Sequence, residues 1–158
     1  MATKEEIIAG LEMTISQARR ATSLFAEGEW GWKRAAGWTP KEVYAHLAAV
    51  AGMVPNFAQA MLSAPEDRDI TQGMDVDQMN AQAVGAMASM TPEQVMQAFE
   101  SNYGKLIDFV KSVPDDQWNL RRRLASDPIP VSDILGNAIM LHSLHHVYEA
   151  ATRVGAPG

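Results

Sequence analysis

Three of the chain's four histidines stand within five positions, in "LHSLHHVYEA" at residues 141–150. On a helix, His142 and His146 lie about 40° apart around the axis and one turn apart along it, so both imidazoles can reach one ion. His145 is rotated by about 100° from His146 and reads as a flanking residue. A competing pair, His142 with His145 at a spacing of three, stays open. The fourth histidine, His46, sits in "GWTPKEVYAHL" and shares a helical stripe with Val43, Val50 and Met53. Three histidines projecting inward from two helices present six ring nitrogens that each need a partner, and a divalent ion satisfies one on each ring. The plainer reading is a set of surface or hydrogen-bonded core imidazoles that happen to be neighbours.

Three neutral imidazoles would leave the charge of a divalent ion uncompensated and coordination positions open, which is the layout of a catalytic centre. Water or a thiol entering there becomes markedly more acidic. Such a site calls for a general base or a supporting carboxylate. Glu149, three residues after His146, and Glu42, one turn before His46, are the candidates, although Glu42 also suits a helix cap and Glu149 a solvated helix end. Tyr103 and Tyr148 offer hydroxyls to a ligand or rings to a core. Arg121, Arg122 and Arg123 either receive carboxylates over a pocket mouth or balance Asp115, Asp116 and Asp127 in solvent. Trp30, Trp32, Trp38 and Trp118 are expected mostly to cover bundle ends, and ten methionines suit an adaptable core or pocket wall.

The elements that must carry these residues are helical, because apolar residues recur at spacings of three and four and strict alternation never persists. Thr3 with Glu6 forms a capping box for a first helix whose stripe is Ile7, Leu11, Ile15, Ala18 and Leu24, fading near Gly28. Thr39, Pro40 and Glu42 start a second helix, predicted to run to about Met61 with a bend at Pro55. A weaker segment spans Asp75 to about Met87. "TPEQ" at Thr91 starts a third strong helix that stops before Pro114. Residues 114–130 read as irregular, with one turn at "DDQW". The last helix is predicted from Val131 to about Val154. The expected architecture is all-α, a four-helix bundle, in which sites form from side chains on facing helices.

Composition sets the outer limits. A chain of 158 residues suits a single domain over 1–158, and 47% hydrophobic with 20% charged residues is ordinary globular material with no membrane-length apolar run. A net charge of −6 disfavours nucleic acid. The first residues lack the pattern of a secretory signal, so a cytoplasmic location is the expectation. Cysteine is absent, so any thiol chemistry must use an external thiol and any metal site must use His, Asp, Glu or water. There is no phosphate loop, nucleophile elbow or dinucleotide fingerprint.

"GWTPKEVYAHL" followed far downstream by "HSLHH" resembles the DinB/YfiT-like superfamily. That resemblance implies an up-down-down-up four-helix bundle and a metal, most often nickel or zinc, held by three histidines or by two and a carboxylate. The ligands it implies are His46, His142 and His146. It also implies activation of a low-molecular-weight thiol such as mycothiol or bacillithiol by a metal-dependent S-transferase, with a hydrolase as the related option, and a homodimer. Without the metal, or with a purely structural one, the same scaffold is a non-catalytic module that binds a small ligand or dimerises.

Overall fold

The computed structural model describes residues 2–66, 68–69, 71–124 and 127–153. Four long helical segments make the bundle: α1 (Lys4–Thr22), α2 (Pro40–Ser63), α4 (Pro92–Ser112), and a composite last helix. That last helix joins α6 (Val131–Asp133), a wide π-helical stretch (Ile134–Met140) and α7 (Leu141–Ala151). The short α3 (Val76–Ala86) lies between α2 and α4, and α5 (Asp115–Trp118) follows α4. Among the described residues no helix is long and apolar enough to cross a membrane.

Helix starts follow the caps read from sequence. Thr3, Thr39 and Thr91 each accept from the third backbone N–H, and Glu6, Glu42 and Gln94 reach back to the cap residue's own N–H. The chain runs up α1, down α2, down α4 and up the last helix. Lys4 reaches the Val113 carbonyl while Arg19 pairs with Glu100 at 2.6 Å, so α1 and α4 are antiparallel. Asn102 Nδ2 donates to the Ala48 carbonyl at 2.9 Å, and Lys41 Nζ to Ala88 at 2.7 Å, so α2 and α4 run parallel. A parallel pair needs a long return, supplied by residues 64–91 with α3. Ile7, Leu11, Val43, Leu47, Phe99, Leu106, Leu135 and Val147 meet in one core.

Five expectations change. The first helix stops at Thr22, where the Thr22 and Ser23 hydroxyls bond back to carbonyls of Ala18 and Arg20 and compete with helix propagation. Leu24, expected on the buried stripe, is exposed, and Thr14 takes a core position with its hydroxyl on the Gly10 carbonyl. α2 continues through Pro55 to Ser63, past the predicted end. The segment expected to be irregular contains an antiparallel pair, β1 (Arg121–Leu124) with β2 (Asp127–Pro130). Finally, the last helix is not a uniform α-helix, and its closing α-helical residue is Ala151; Val154 lies outside the described residues.

Candidate metal centre

His46 lies in the second turn of α2 and is buried at 4% exposure, between Ala45 and Leu47 in the core. α7 faces it in the opposite direction. The core stripe of α7 is Ser143, Val147 and Ala150, and the half-buried His142 and His146 stand on its flank toward α2. This refines the expectation from sequence that the histidines themselves project inward. The π-helical stretch sets the phase that brings them there, since its wider turns rotate everything after it relative to a straight α-helix.

The three rings converge. One nitrogen from each of His46, His142 and His146 lies within 4.8 Å of the others, and Nε2 of His46 is 3.1 Å from Nε2 of His142. Ring centroids are 4.5 to 5.1 Å apart. His145 is exposed on the outer side, next to His146 and outside the cluster. Nδ1 of His146 donates to Oε2 of Glu149 at 2.7 Å. A carboxylate only accepts, so this bond puts the proton on Nδ1 and leaves Nε2 of His146 with its lone pair free.

Burial lowers the pKa of both His46 and His142 to about 4, with the neighbouring imidazoles adding to the fall: His142 and His146 act on His46, and His146 and His145 act on His142. Both rings are therefore neutral at pH 7. Three imidazole nitrogen donors without a carboxylate among them suit zinc, nickel, iron or copper and not magnesium or calcium. Two nitrogens bound at about 2.05 Å to one ion, at angles of about 90 to 109°, are about 2.9 to 3.4 Å apart. The 3.1 Å between His46 and His142 falls in that range. The donor set and its spacing thus fit a first-row divalent ion.

Trp38 closes one side, stacked on His146 with 11° between the planes and edge-on to His46 at 5.2 Å. Ala35, Ala36, Trp38, His145, His146, Tyr148, Glu149 and Thr152 line a cleft of about 340 Å³. It holds no lysine or arginine.

Other candidates lie elsewhere. The Glu42 carboxylate is taken by the N–H and hydroxyl of Thr39 at 2.8 and 2.9 Å. Tyr103 is buried, and its hydroxyl donates to Ser143 Oγ at 2.6 Å, which in turn donates to the Ile139 carbonyl. Tyr148 is exposed at the cleft. Arg122 donates to the Met61 carbonyl in the last turn of α2, fifteen residues and about 22 Å along the axis from His46. The three arginines of β1 therefore do not cover the histidines. Trp118 covers the far end, donating to the Ala2 carbonyl beneath Lys4.

Sequence reasoning missed one buried polar group near the site. Glu29 and Arg34 are both essentially inaccessible and form an ion pair at 2.8 Å, joined by Arg153. Burial raises the Glu29 pKa, but bonds from Arg153, the Ala26 N–H and Arg34 outweigh it and hold the group at about 2. No periodicity marks "GEWGWKR", so only the unusual run of charges among tryptophans hinted at it.

Comparison with known proteins agrees with this architecture. Among curated proteins none matches the chain. By structure it is similar to the mycothiol-dependent maleylpyruvate isomerase, with a TM-score of 0.74 at 18% identity over 99% of this chain and 65% of that one. A histidine-to-alanine mutant of the isomerase gives 0.75 at 17% identity over 99% and 62%. The chain thus spans less than two thirds of the isomerase. It is also similar to YfiT from Bacillus subtilis, a probable metal-dependent hydrolase with an unusual four-helix bundle topology, with a TM-score of 0.73 at 19% identity over 96% of this chain and 87% of that one. Residues 17–147 match the family model of the mycothiol maleylpyruvate isomerase N-terminal domain, a span that takes in His46, His142 and His146. On that match the chain belongs to this family, within the DinB/YfiT-like superfamily.

Proposed function

We propose that the chain is a metal-dependent enzyme that activates a small thiol for S-transfer at His46, His142 and His146, with water taking the place of the thiol in a hydrolytic variant. The observation that carries this reading is the approach of three imidazole nitrogens within 4.8 Å, one ring oriented by a carboxylate. A divalent ion held there supplies Lewis acidity, which makes a thiol or water ionise near neutral pH. Nickel or zinc suits the donors.

The chain's own residues prepare the site. Glu149 fixes the tautomer of His146 and keeps its Nε2 lone pair on the cluster side. This is the supporting role we assign to Glu149, whose Oε2 accepts from His146. Burial keeps His46 and His142 unprotonated, and Trp38 excludes water from one side. The adjoining cleft offers indole, methyl, phenol and imidazole surface with a single carboxylate and no lysine or arginine, so a neutral, partly apolar electrophile suits it better than a dicarboxylate.

The test is metal analysis of protein purified without a histidine tag, beside His46→Ala, followed by an assay of mycothiol consumption with an alkyl electrophile. The wild type is expected to retain about one equivalent of ion and to consume thiol, and the variant to do neither. Equal metal in the two proteins overturns the site. Binding of the ion without thiol or ester turnover makes the chain a non-catalytic helical module.

A further inference from the structure

The buried pair Glu29–Arg34 stands outside the histidine cluster, yet Arg34 connects two parts of its wall. Its backbone N–H donates to the Trp38 carbonyl at 2.8 Å, and its carbonyl accepts from Gly37 N–H at 2.8 Å, which closes the 34–38 turn. Gly37 sits at φ +88°, a conformation that favours glycine. From the same residue, Nε donates to the Ala150 carbonyl at 3.0 Å and Nη2 to Glu29 at 2.8 Å. Ala150 follows Glu149 in the last turn of α7, four residues after His146.

We infer that Arg34 is a positioning residue for the histidine centre: it fastens the turn that carries Trp38 to the end of α7, so that the indole stays stacked on His146 and against His46. This rests on the reading of His46, His142 and His146 as metal ligands. A core would not otherwise need a guanidinium here, because burying a charge demands a matched partner and gains little over an apolar side chain of equal volume. Arg34 is suited to the task since its planar fork serves two acceptors at once, the Glu29 carboxylate and the Ala150 carbonyl. A lysine retains the charge facing Glu29 but presents no such fork. Arg153 also pairs with Glu29 but is exposed and makes no bond to the 34–38 turn.

The experiment titrates metal-free full-length protein with Co²⁺ and reads both the dissociation constant and the visible ligand-field spectrum in wild type, Arg34→Lys, Trp38→Ala and the double variant. Arg34→Lys and Trp38→Ala are each expected to weaken Co²⁺ binding about tenfold, the low end for residues supporting a metal ligand, and to shift the spectrum alike. The double variant is expected to lose no more than Trp38→Ala alone, because Arg34 acts through the indole. Trp38→Phe restores most of the affinity, and Arg153→Ala leaves it within twofold. If Arg34→Lys fails to fold, Gly37→Ala loosens the same turn from its surface side, where an added methyl meets nothing, and is expected to show the same coupling to Trp38. Unchanged affinity and spectrum in Arg34→Lys, or losses that add in the double variant, overturn the inference while leaving the histidine centre standing. Full Co²⁺ binding by His46→Ala overturns the centre and the inference together.

Discussion

Acidifying the metal-free protein from pH 7 to pH 5 should destabilise it through the histidine cluster, in a range that no other strongly shifted group shares. His46 and His142 titrate near 6.5 when unfolded and near 4 when folded. A depressed folded pKa means that the unfolded chain binds more protons between those values, so stability is complete above pH 6.5, falls as pH drops toward 4, and is flat below. Linkage gives a loss of about 2 kcal/mol per ring between pH 7 and pH 5. Solvent screening at the partly exposed His142 trims this, leaving about 2 to 3 kcal/mol for the pair. That is a sizeable share of the roughly 5 to 15 kcal/mol by which native proteins are stable. With a urea slope of about 2 kcal/mol/M, the midpoint should fall by about 1 to 1.5 M. Glu29, held at about 2, contributes stability that is full above 4.5 and lost only on further acidification, below the pH 7 to pH 5 range. Urea titrations at pH 7 and pH 5 in the presence of a chelator, on wild type and on His46→Gln/His142→Gln, are the assay. A wild-type midpoint that moves by less than about 0.3 M, or an equal shift in the double variant, refutes the reasoning.

Two further outcomes separate the site from its scaffold. Glu149→Ala removes the acceptor that orients His146 and should weaken divalent-metal binding about 10- to 100-fold, measured by competition with a chromogenic chelator. Tyr103→Phe deletes a buried hydroxyl bonded to Ser143, which keeps its own bond to Ile139; stability should drop by about 1 kcal/mol, or about 2 to 4 °C in Tm by calorimetry, with metal affinity unchanged.

The bundle was legible because its signals are local. Three threonine capping boxes mark where α1, α2 and α4 begin, and each depends on residues three apart. The grouping of His46 with His142 and His146 came from the resemblance carried by two short motifs on two amphipathic helices, since helix spacing alone left His142 with His145 open. What escaped depends on contacts distant in sequence or on subtle backbone geometry. The β1–β2 pair contains Pro128 and Pro130, which argue against a strand, and it forms as an isolated two-stranded ribbon where missing N–H donors do little harm. The burial of the Glu29–Arg34 pair was hidden because the second acceptor of the Arg34 guanidinium, Ala150, lies 116 residues away. Tyr103 reads more readily as core than as ligand, and its bond to Ser143 lies in that core, while the spacing of three marks Glu149 as a carboxylate beside His146.

The π-helical stretch from Ile134 to Met140 has a consequence for how the site is tuned. Where the backbone bonds five residues back, the chain carries a surplus residue relative to ordinary helix, and the downstream segment is turned by about 100° per surplus residue. The aim of His142 and His146 toward α2 is thus set upstream, by a length and not by a side chain. Deleting one residue there would relax the strand of bonds to the tighter pitch and swing both rings off their common point, although every imidazole would still be present.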